Sequence, residues 1–450
     1  MSITSLSSLL NAREKRVRER ETLLHTFGCP VLTYTLNIPG AEKDSALIRR
    51  FFKSYLDILM GRLAPFFAAP LNVVYPETGP ECMVPVRMDA NELKRIAVEI
   101  ESSSGSARLL DLDVTDASGR QVSRTDLGFP ERECIVCGKI GRQCAAAETH
   151  PKEEVVKAAV RLMEDHFLNG DASVFADLAV QALIREVHLT PKPGLVDEAN
   201  PGSHRDMDLK LMETSAYALK PYFHDAFLSG TDSKDLPAEE AFARLKELGL
   251  EGEKTMFSAT GGVNTHKGAV YLFGCVLGAV GRLWRADRIP RSDEVLKEAG
   301  TLSKKAAEDD LSRIARKPKG NLTAGEAIYR QYGLTGARGE AMNGFPSVRN
   351  TSLPYLRSHA ADPLALQKTL LMIIALGNDT NLIARGGRET AMTAVSVVRD
   401  LLKKGEPARQ DIERLDRLFI EKNLSPGGSA DLIAVTVFCR ELDSFADMLQ

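Results

Sequence analysis

A chain of 450 residues is longer than one hydrophobic core usually organises, so two domains are expected. With 44% apolar and 26% charged residues it has a globular composition, and a net charge of −3 supplies no field to draw nucleic acid or an anionic membrane. Seven cysteines, an odd number spread thinly, do not make a secreted disulfide framework.

The apolar stretch at residues 3–10 is followed by the basic run 13–20, the reverse of a secretory signal. Arg13, Lys15, Arg16, Arg18 and Arg20 read as a solvated helical face, or as a surface that steers an acidic protein partner. Residues 31–38 alternate, with Leu32, Tyr34, Leu36 and Ile38 on one face, which predicts a half-buried strand. Residues 45–60 carry Leu47, Ile48, Phe51, Phe52, Tyr55, Leu56 and Leu59 at helical spacing. A second strand is expected over 108–114, ended by turn residues 116–119. Together these predict an N-terminal α+β domain over residues 1–168.

Residues 151–169 are charged and helical in pattern and bridge to the second half. From there strand signals nearly vanish. Helices are expected over 174–187, 207–219, 238–248, 269–285, 364–376 and 412–420, with polar loops at 190–202, 259–268, 336–346, 377–387 and 425–429. An all-α domain over 169–450 is the expectation. The apolar segment 269–280 is too short to cross a bilayer, which takes about 20 residues, so the chain reads as cytoplasmic with no membrane partner.

Three clusters carry chemistry. On a strand, Asp111 and Asp113 face the same side and suit Mg²⁺ bridging phosphates; an exposed strand face gives the same pattern. Arg108, with Arg49, Arg50, Arg87 and Arg124, is a candidate phosphate clamp. Cys134, Cys137, Cys144 and His150 have spacing compatible with tetrahedral Zn²⁺, or are ordinary reduced cysteines with a nearby histidine. In the second half, Gly261, Gly262, Asn264, His266 and Lys267 precede an apolar helix whose N-terminus can receive phosphate. Asp206, Asp208 and Asp379 are candidate Mg²⁺ ligands, and Lys192, Arg205, Lys267, Arg338 and Arg385 candidate phosphate contacts, joined by Asn381. Each of these residue types also caps helices and forms turns.

The motifs REVHLTPKPGLVD (185–197), HRDMD (204–208), ATGGVNTHKGA (259–269), TAGE (323–326), YGLTGARGEA (332–341), GFPSVR (344–349), NDTNLIARGG (378–387) and NLSPGGSADL (423–432) stand in one order. In them the C-terminal part resembles the triphosphoribosyl-dephospho-CoA synthase family, CitG. The N-terminal part resembles the apo-citrate lyase phosphoribosyl-dephospho-CoA transferase family, CitX, through LTYTLNIPG (32–40), LIRRFF (47–52), RLLDLDV (108–114), SRTDLG (123–128) and RECIVCGKIGRQCAAAETH (132–150). The resemblance implies that ATP and 3′-dephospho-CoA are joined with release of adenine. The phosphoribosyl-dephospho-CoA group then passes to a serine of the acyl carrier (γ) subunit of citrate lyase, expelling pyrophosphate. It implies catalytic roles for Asp379 or Asp206 in the first reaction and Asp111 and Asp113 in the second, Asp208 as a further Mg²⁺ ligand, and a nucleotidyltransferase-like N-terminal fold. The competing expectation is a synthase alone, with the N-terminal half a docking module for the carrier.

Overall fold

The computed structural model describes residues 5–448; Ile3 and Thr4 of the apolar N-terminal stretch lie outside the described residues. The chain divides into two compact units, residues 1–169 and 170–450.

The first unit comprises α1 (Leu6–Phe27), β1 (Val31–Leu36), α2 (Ala46–Leu63), β2 (Asn72–Val74), β3 (Glu81–Pro85), α3 (Ala90–Glu101), β4 (Leu110–Thr115), β5 (Gln121–Val122), α4 (Gly141–Ala146) and the first part of α5 (Lys152–Val187). The strands form one antiparallel sheet in the order β2-β3-β1-β4-β5. Period-two alternation puts Leu32 and Tyr34 of β1 and Leu110, Leu112 and Val114 of β4 on one buried face. The stripe of α2 covers that face: Phe52 stacks on Tyr34 at 4.2 Å, and the Tyr34 hydroxyl donates to the Phe52 carbonyl. Each such side chain contributes about 1.5–3 kcal/mol. β4 begins at Leu110, later than expected, because Ser106–Leu109 close a short 3₁₀ turn. Strands β2, β3 and β5 were not foreseen.

Beyond Gly170 no strand occurs among the described residues. After α5 come α6 (Leu209–Ala218), α7 (Lys220–Asp232), α8 (Ala238–Ala259), α9 (Lys267–Leu283), α10 (Ser292–Arg316), α11 (Ala324–Tyr332), α12 (Gly336–Met342), α13 (Leu353–Ser358), α14 (Ala365–Leu376), α15 (Thr380–Gly386), α16 (Arg388–Lys403), α17 (Arg409–Glu421) and α18 (Gly427–Met448). Apolar α9 is the central post, buried from Ala269 to Gly281 except at Tyr271 and flanked by α7, α8, α10 and α18. Gly230 of α7 and Gly281 of α9 let the two backbones approach too closely for any Cβ, and Gly278 makes room for the Leu245 side chain of α8. Two expected loops, 336–346 and 377–387, instead contain the short helices α12 and α15. Capping by loop residues sustains α15 where propensity alone would not. By length and mean hydropathy, α5 is the one described helix able to cross a membrane. Half of its apolar window is buried in the protein, where Phe175, Ala176, Ala179, Val180 and Leu183 are core residues.

Candidate active sites

In the helical unit the polar loops converge on the N-terminus of α9. Asp379 caps α15: its Oδ1 accepts the Asn381 and Leu382 amides at 2.9 and 3.2 Å. Its Oδ2 accepts the Ser429 amide and hydroxyl at 2.7 and 2.8 Å, so one carboxylate ties the start of α15 to the first turn of α18. Two residues on, Asp431 reaches the start of α9, where the Ala269 amide holds it. Gly268 makes this approach possible, since a Cβ there would overlap Asp431 Oδ2. Burial, and then the charges of Glu186 and Asp379, push the Asp431 carboxyl well above the usual carboxylate range. Burial also raises Asp379, against its four hydrogen bonds.

The lysine in this cluster is already engaged. Lys192, 2% exposed, donates to Glu186 Oε1 at 2.6 Å and to the Glu186 carbonyl at 2.7 Å. It therefore points inward, not toward a ligand surface. His266 caps α9 with Nδ1 on Ser215 Oγ at 2.8 Å, while its Nε2 is buried without a partner. Burial, with Lys192 close by, lowers its pKa to about 4. His204 is likewise lowered to about 4, first by burial and then by Arg385. Because the Arg385 guanidinium donates to Nδ1 at 3.2 Å, the ring proton sits on Nε2 and is donated to Ser425 Oγ at 2.8 Å. Both imidazoles are neutral at physiological pH.

The remaining candidates spread around this cluster. Arg205, Asp206 and Asp208 line an open groove beside His204, with Lys210. One Asp208 oxygen caps α6 through the Leu211 amide at 2.8 Å. Lys267 and Arg338 line a separate recess along α9, and Lys267 pairs with Glu253 at 2.9 Å. Gly261 and Gly262 adopt φ of +64° and +92° and terminate α8, with the Gly262 amide on the Phe257 carbonyl; Asn264 is exposed on the same turn. Asn381 is exposed on α15.

In the first unit, Asp111 and Asp113 do share one face of β4, opposite Thr35 and Thr33 of β1. Thr35 Oγ1 lies 3.5 Å from Asp111 Oδ2, and Thr33 Oγ1 is buried without a partner. Gln121 donates to Asp113 at 2.9 Å. Burial first, then the neighbouring Asp113 charge, raises the Asp111 carboxyl. From α3, buried Glu101 accepts the Leu112 amide at 2.9 Å and Lys94 donates to the Leu112 carbonyl at 2.7 Å, replacing a strand partner along the edge of β4. Glu101 also pairs with Arg124 at 3.2 Å and with Arg132. Arg132 NH1 in turn reaches the Leu110 carbonyl at 2.9 Å and Asp111 Oδ1 at 3.3 Å. Arg108 lies beside Glu133 at 3.6 Å.

The profile of the CitG family, ATP:dephospho-CoA triphosphoribosyl transferase, matches residues 172–448. That of CitX, apo-citrate lyase phosphoribosyl-dephospho-CoA transferase, matches residues 4–166. A protein named CitXG from Haemophilus influenzae is 36% identical over 446 residues, covering 96% of this chain and 95% of that one. The chain belongs to the CitXG family. Another CitXG, from Leuconostoc mesenteroides subsp. cremoris, is 32% identical with 97% of both chains covered. A Vibrio cholerae protein, named a probable 2-(5''-triphosphoribosyl)-3'-dephosphocoenzyme-A synthase, is 44% identical over 277 residues, 59% of this chain and 87% of the relative. The CitXG layout makes this chain a bifunctional transferase that combines the CitG synthase activity with the CitX transfer to apo-citrate lyase.

Sequence reasoning missed Glu186 and Asp431 in the CitG part, and Glu101, Arg132, Thr33 and Thr35 in the CitX part. Asp431 opens a long apolar helix and Glu186 closes one, positions where a carboxylate reads as solvent-facing. A usable signal was the Gly-Gly-Ser-Ala-Asp run at 427–431, in which small residues admit close backbone approach.

Proposed function

We propose that residues 170–450 carry out the synthase step, with Asp431 as the group that accepts the proton of the attacking hydroxyl. The observation that carries this reading is a half-buried carboxylate, unpaired with any cation among the described residues, set at the start of α9 beside Glu186 and Asp379. A carboxyl raised above its usual range is a better match to a hydroxyl proton near neutral pH than an exposed aspartate. In this reading the 2′-hydroxyl of 3′-dephospho-CoA attacks the ribose of ATP and adenine departs. The triphosphate stays on the product. Asp379 is a positioning residue, fixing through Ser429 the turn from which Asp431 projects. His204, kept neutral and held by Arg385, lines the groove beside Asp206 and Asp208 without adding a second acid.

The groove donors Asp206 and Asp208 are hard oxygen ligands placed beside Arg205 and Lys210, a set that fits Mg²⁺ with a triphosphate. When bound, the ion neutralises phosphate charge. The N-terminal pair, Asp111 and Asp113, fits the same ion through two mutually repelling carboxylates on one strand face. There the phosphoribosyl-dephospho-CoA group would be transferred to a serine of the γ carrier subunit with loss of pyrophosphate. Arg132 and Arg108 stand beside those carboxylates as candidate phosphate contacts. A nucleotidyltransferase-like mechanism and a cytoplasmic setting belong to this reading.

The test is to incubate the chain with ATP, Mg²⁺ and 3′-dephospho-CoA and separate the products by chromatography. Adenine that forms only when dephospho-CoA is present, and falls at least about 100-fold in Asp431→Asn, supports the assignment. ADP or AMP without adenine would overturn it, and an Asp431→Asn protein with full activity would remove Asp431 from the mechanism.

A further inference from the structure

Near β4 the first unit gathers a second set of ligating groups. One ligand atom from each of Cys134, Cys137, Cys144 and His150 lies within 4.8 Å of all the others. Cys137 Sγ and Cys144 Sγ are 3.6 Å apart, close to the roughly 3.8 Å edge of a tetrahedron with Zn–S of about 2.3 Å. His150 Nε2 is buried with no hydrogen-bond partner, and its Nδ1 side faces Glu154 at 3.8 Å, the outer partner that orients a ligating imidazole. The backbone is shaped for the same purpose. Gly138 takes φ +73°, its amide returns to the Cys134 carbonyl at 3.0 Å, and the Val136 amide points at Cys134 Sγ at 3.5 Å. Three thiols and an imidazole in tetrahedral reach select zinc over hard cations.

This loop also grips the transferase site. Glu133 bridges to Ile140, and the Gly141 amide bonds the Arg132 carbonyl at 2.8 Å. Arg132 is the residue whose guanidinium spans Glu101, the Leu110 carbonyl and Asp111. We propose that Cys134, Cys137, Cys144 and His150 bind a structural zinc ion that fixes the 132–141 backbone and thereby holds Arg132 against Asp111. The positioning half rests on Asp111 belonging to the transferase site; zinc binding does not.

The full chain, purified without added metal and dialysed, should contain one zinc per molecule by mass spectrometry of the metal. Cys29→Ser should retain it and Cys134→Ser should lose it. Stripping the metal with a chelator should expose residues 129–151 to hydrogen exchange. It should also lower carrier modification by about tenfold or more, leave adenine release unchanged, and reverse on adding zinc. A metal-free wild-type protein, a Cys137–Cys144 disulfide in the mass spectrum, or zinc retained by Cys134→Ser would overturn the site. Bound zinc whose removal leaves carrier modification intact would overturn the positioning role. Failure of the underlying reading shows separately, as carrier modification that survives Asp111→Asn in the zinc-loaded protein.

Discussion

The sharpest test of the synthase site is a single methyl group. In Gly268→Ala the new Cβ would overlap Asp431 Oδ2 and lie 3.1 Å from its Cγ, so the carboxylate must leave the start of α9. Eviction breaks the bond from the Ala269 amide, about 1.5–3 kcal/mol for a charged acceptor, and overpacking adds about 1–3 kcal/mol. Better helix propensity of alanine returns about 1 kcal/mol, leaving a net loss of about 1.5–5 kcal/mol. In an Asp431→Ala background the obstacle is gone, and the same substitution should be neutral or stabilising by up to about 1 kcal/mol. The coupling is thus about 2.5–6 kcal/mol with an inversion of sign. Urea unfolding of the four proteins, followed on the transition of residues 170–450, measures it. Adenine release should fall in Gly268→Ala by about 30-fold or more even where the protein is folded. An equal effect of Gly268→Ala in both backgrounds would refute the placement of Asp431.

Three further outcomes are expected. Asp111→Asn with Asp113→Asn should abolish carrier modification, by about 100-fold or more, while adenine release proceeds; a chromatographic assay of adenine beside a mass assay of the carrier reads both. Lys192→Met should destabilise the helical unit by about 3–5 kcal/mol, because Glu186 is left buried without its cation, and Glu186→Gln in the same chain should recover part of that loss. His204 and His266, lowered to about 4, bind fewer protons folded than unfolded, so their contribution is complete above about pH 6.5 and is lost as pH falls toward 4. For the fully buried His266 that loss is on the order of 3 kcal/mol, and for the more exposed His204 it is smaller. Asp379 and Asp431, raised by burial, act with the opposite sign, so the measurement is the difference in pH dependence between wild type and His266→Gln, which should flatten over pH 4–6.5.

What could be read from the sequence follows from which physical pattern dominated locally. β1 and β4 were legible because one face of each is apolar and the other polar, giving a clean alternation. β3 was not, since Glu81, Cys82, Met83, Val84 and Pro85 are all buried and a strand covered on both faces has no period to detect. The helices α12 and α15 hid inside glycine- and asparagine-rich stretches that look like loops; what makes α15 helical is a cap from Asp379 that also serves α18. The same residue shows the limit at the site. Asp379 lies in a polar motif that the sequence displays, but its four hydrogen bonds to its own chain are a tertiary fact. Arg132 was hidden for a related reason: its guanidinium meets Asp111 only after the 132–141 turn folds back on β4.

Both units place repelling carboxylates where their charge is unfavourable, and this tells against a purely structural reading of either cluster. A buried charge kept for stability is paired, as Glu186 is with Lys192 and Glu101 with Arg124 and Arg132. Asp431 and the Asp111–Asp113 pair are different: each carboxyl that burial raises is raised further by another acid, with Asp111 only partly offset by Arg132 and Lys94. An asparagine in either place would keep most of the shape and remove the repulsion. The acids cost the fold this repulsion beyond what their hydrogen bonds return through the Ala269 amide, Gln121 and Arg132, which favours a role toward a bound group. In the helical unit the neighbours that would compete for a proton, His204 and His266, are themselves held neutral. Of the carboxyls whose proton affinity the fold has raised there, Asp379 is tied up by four hydrogen bonds, whereas Asp431 accepts the Ala269 amide and has no cation partner among the described residues, which is what favours it as the proposed proton acceptor.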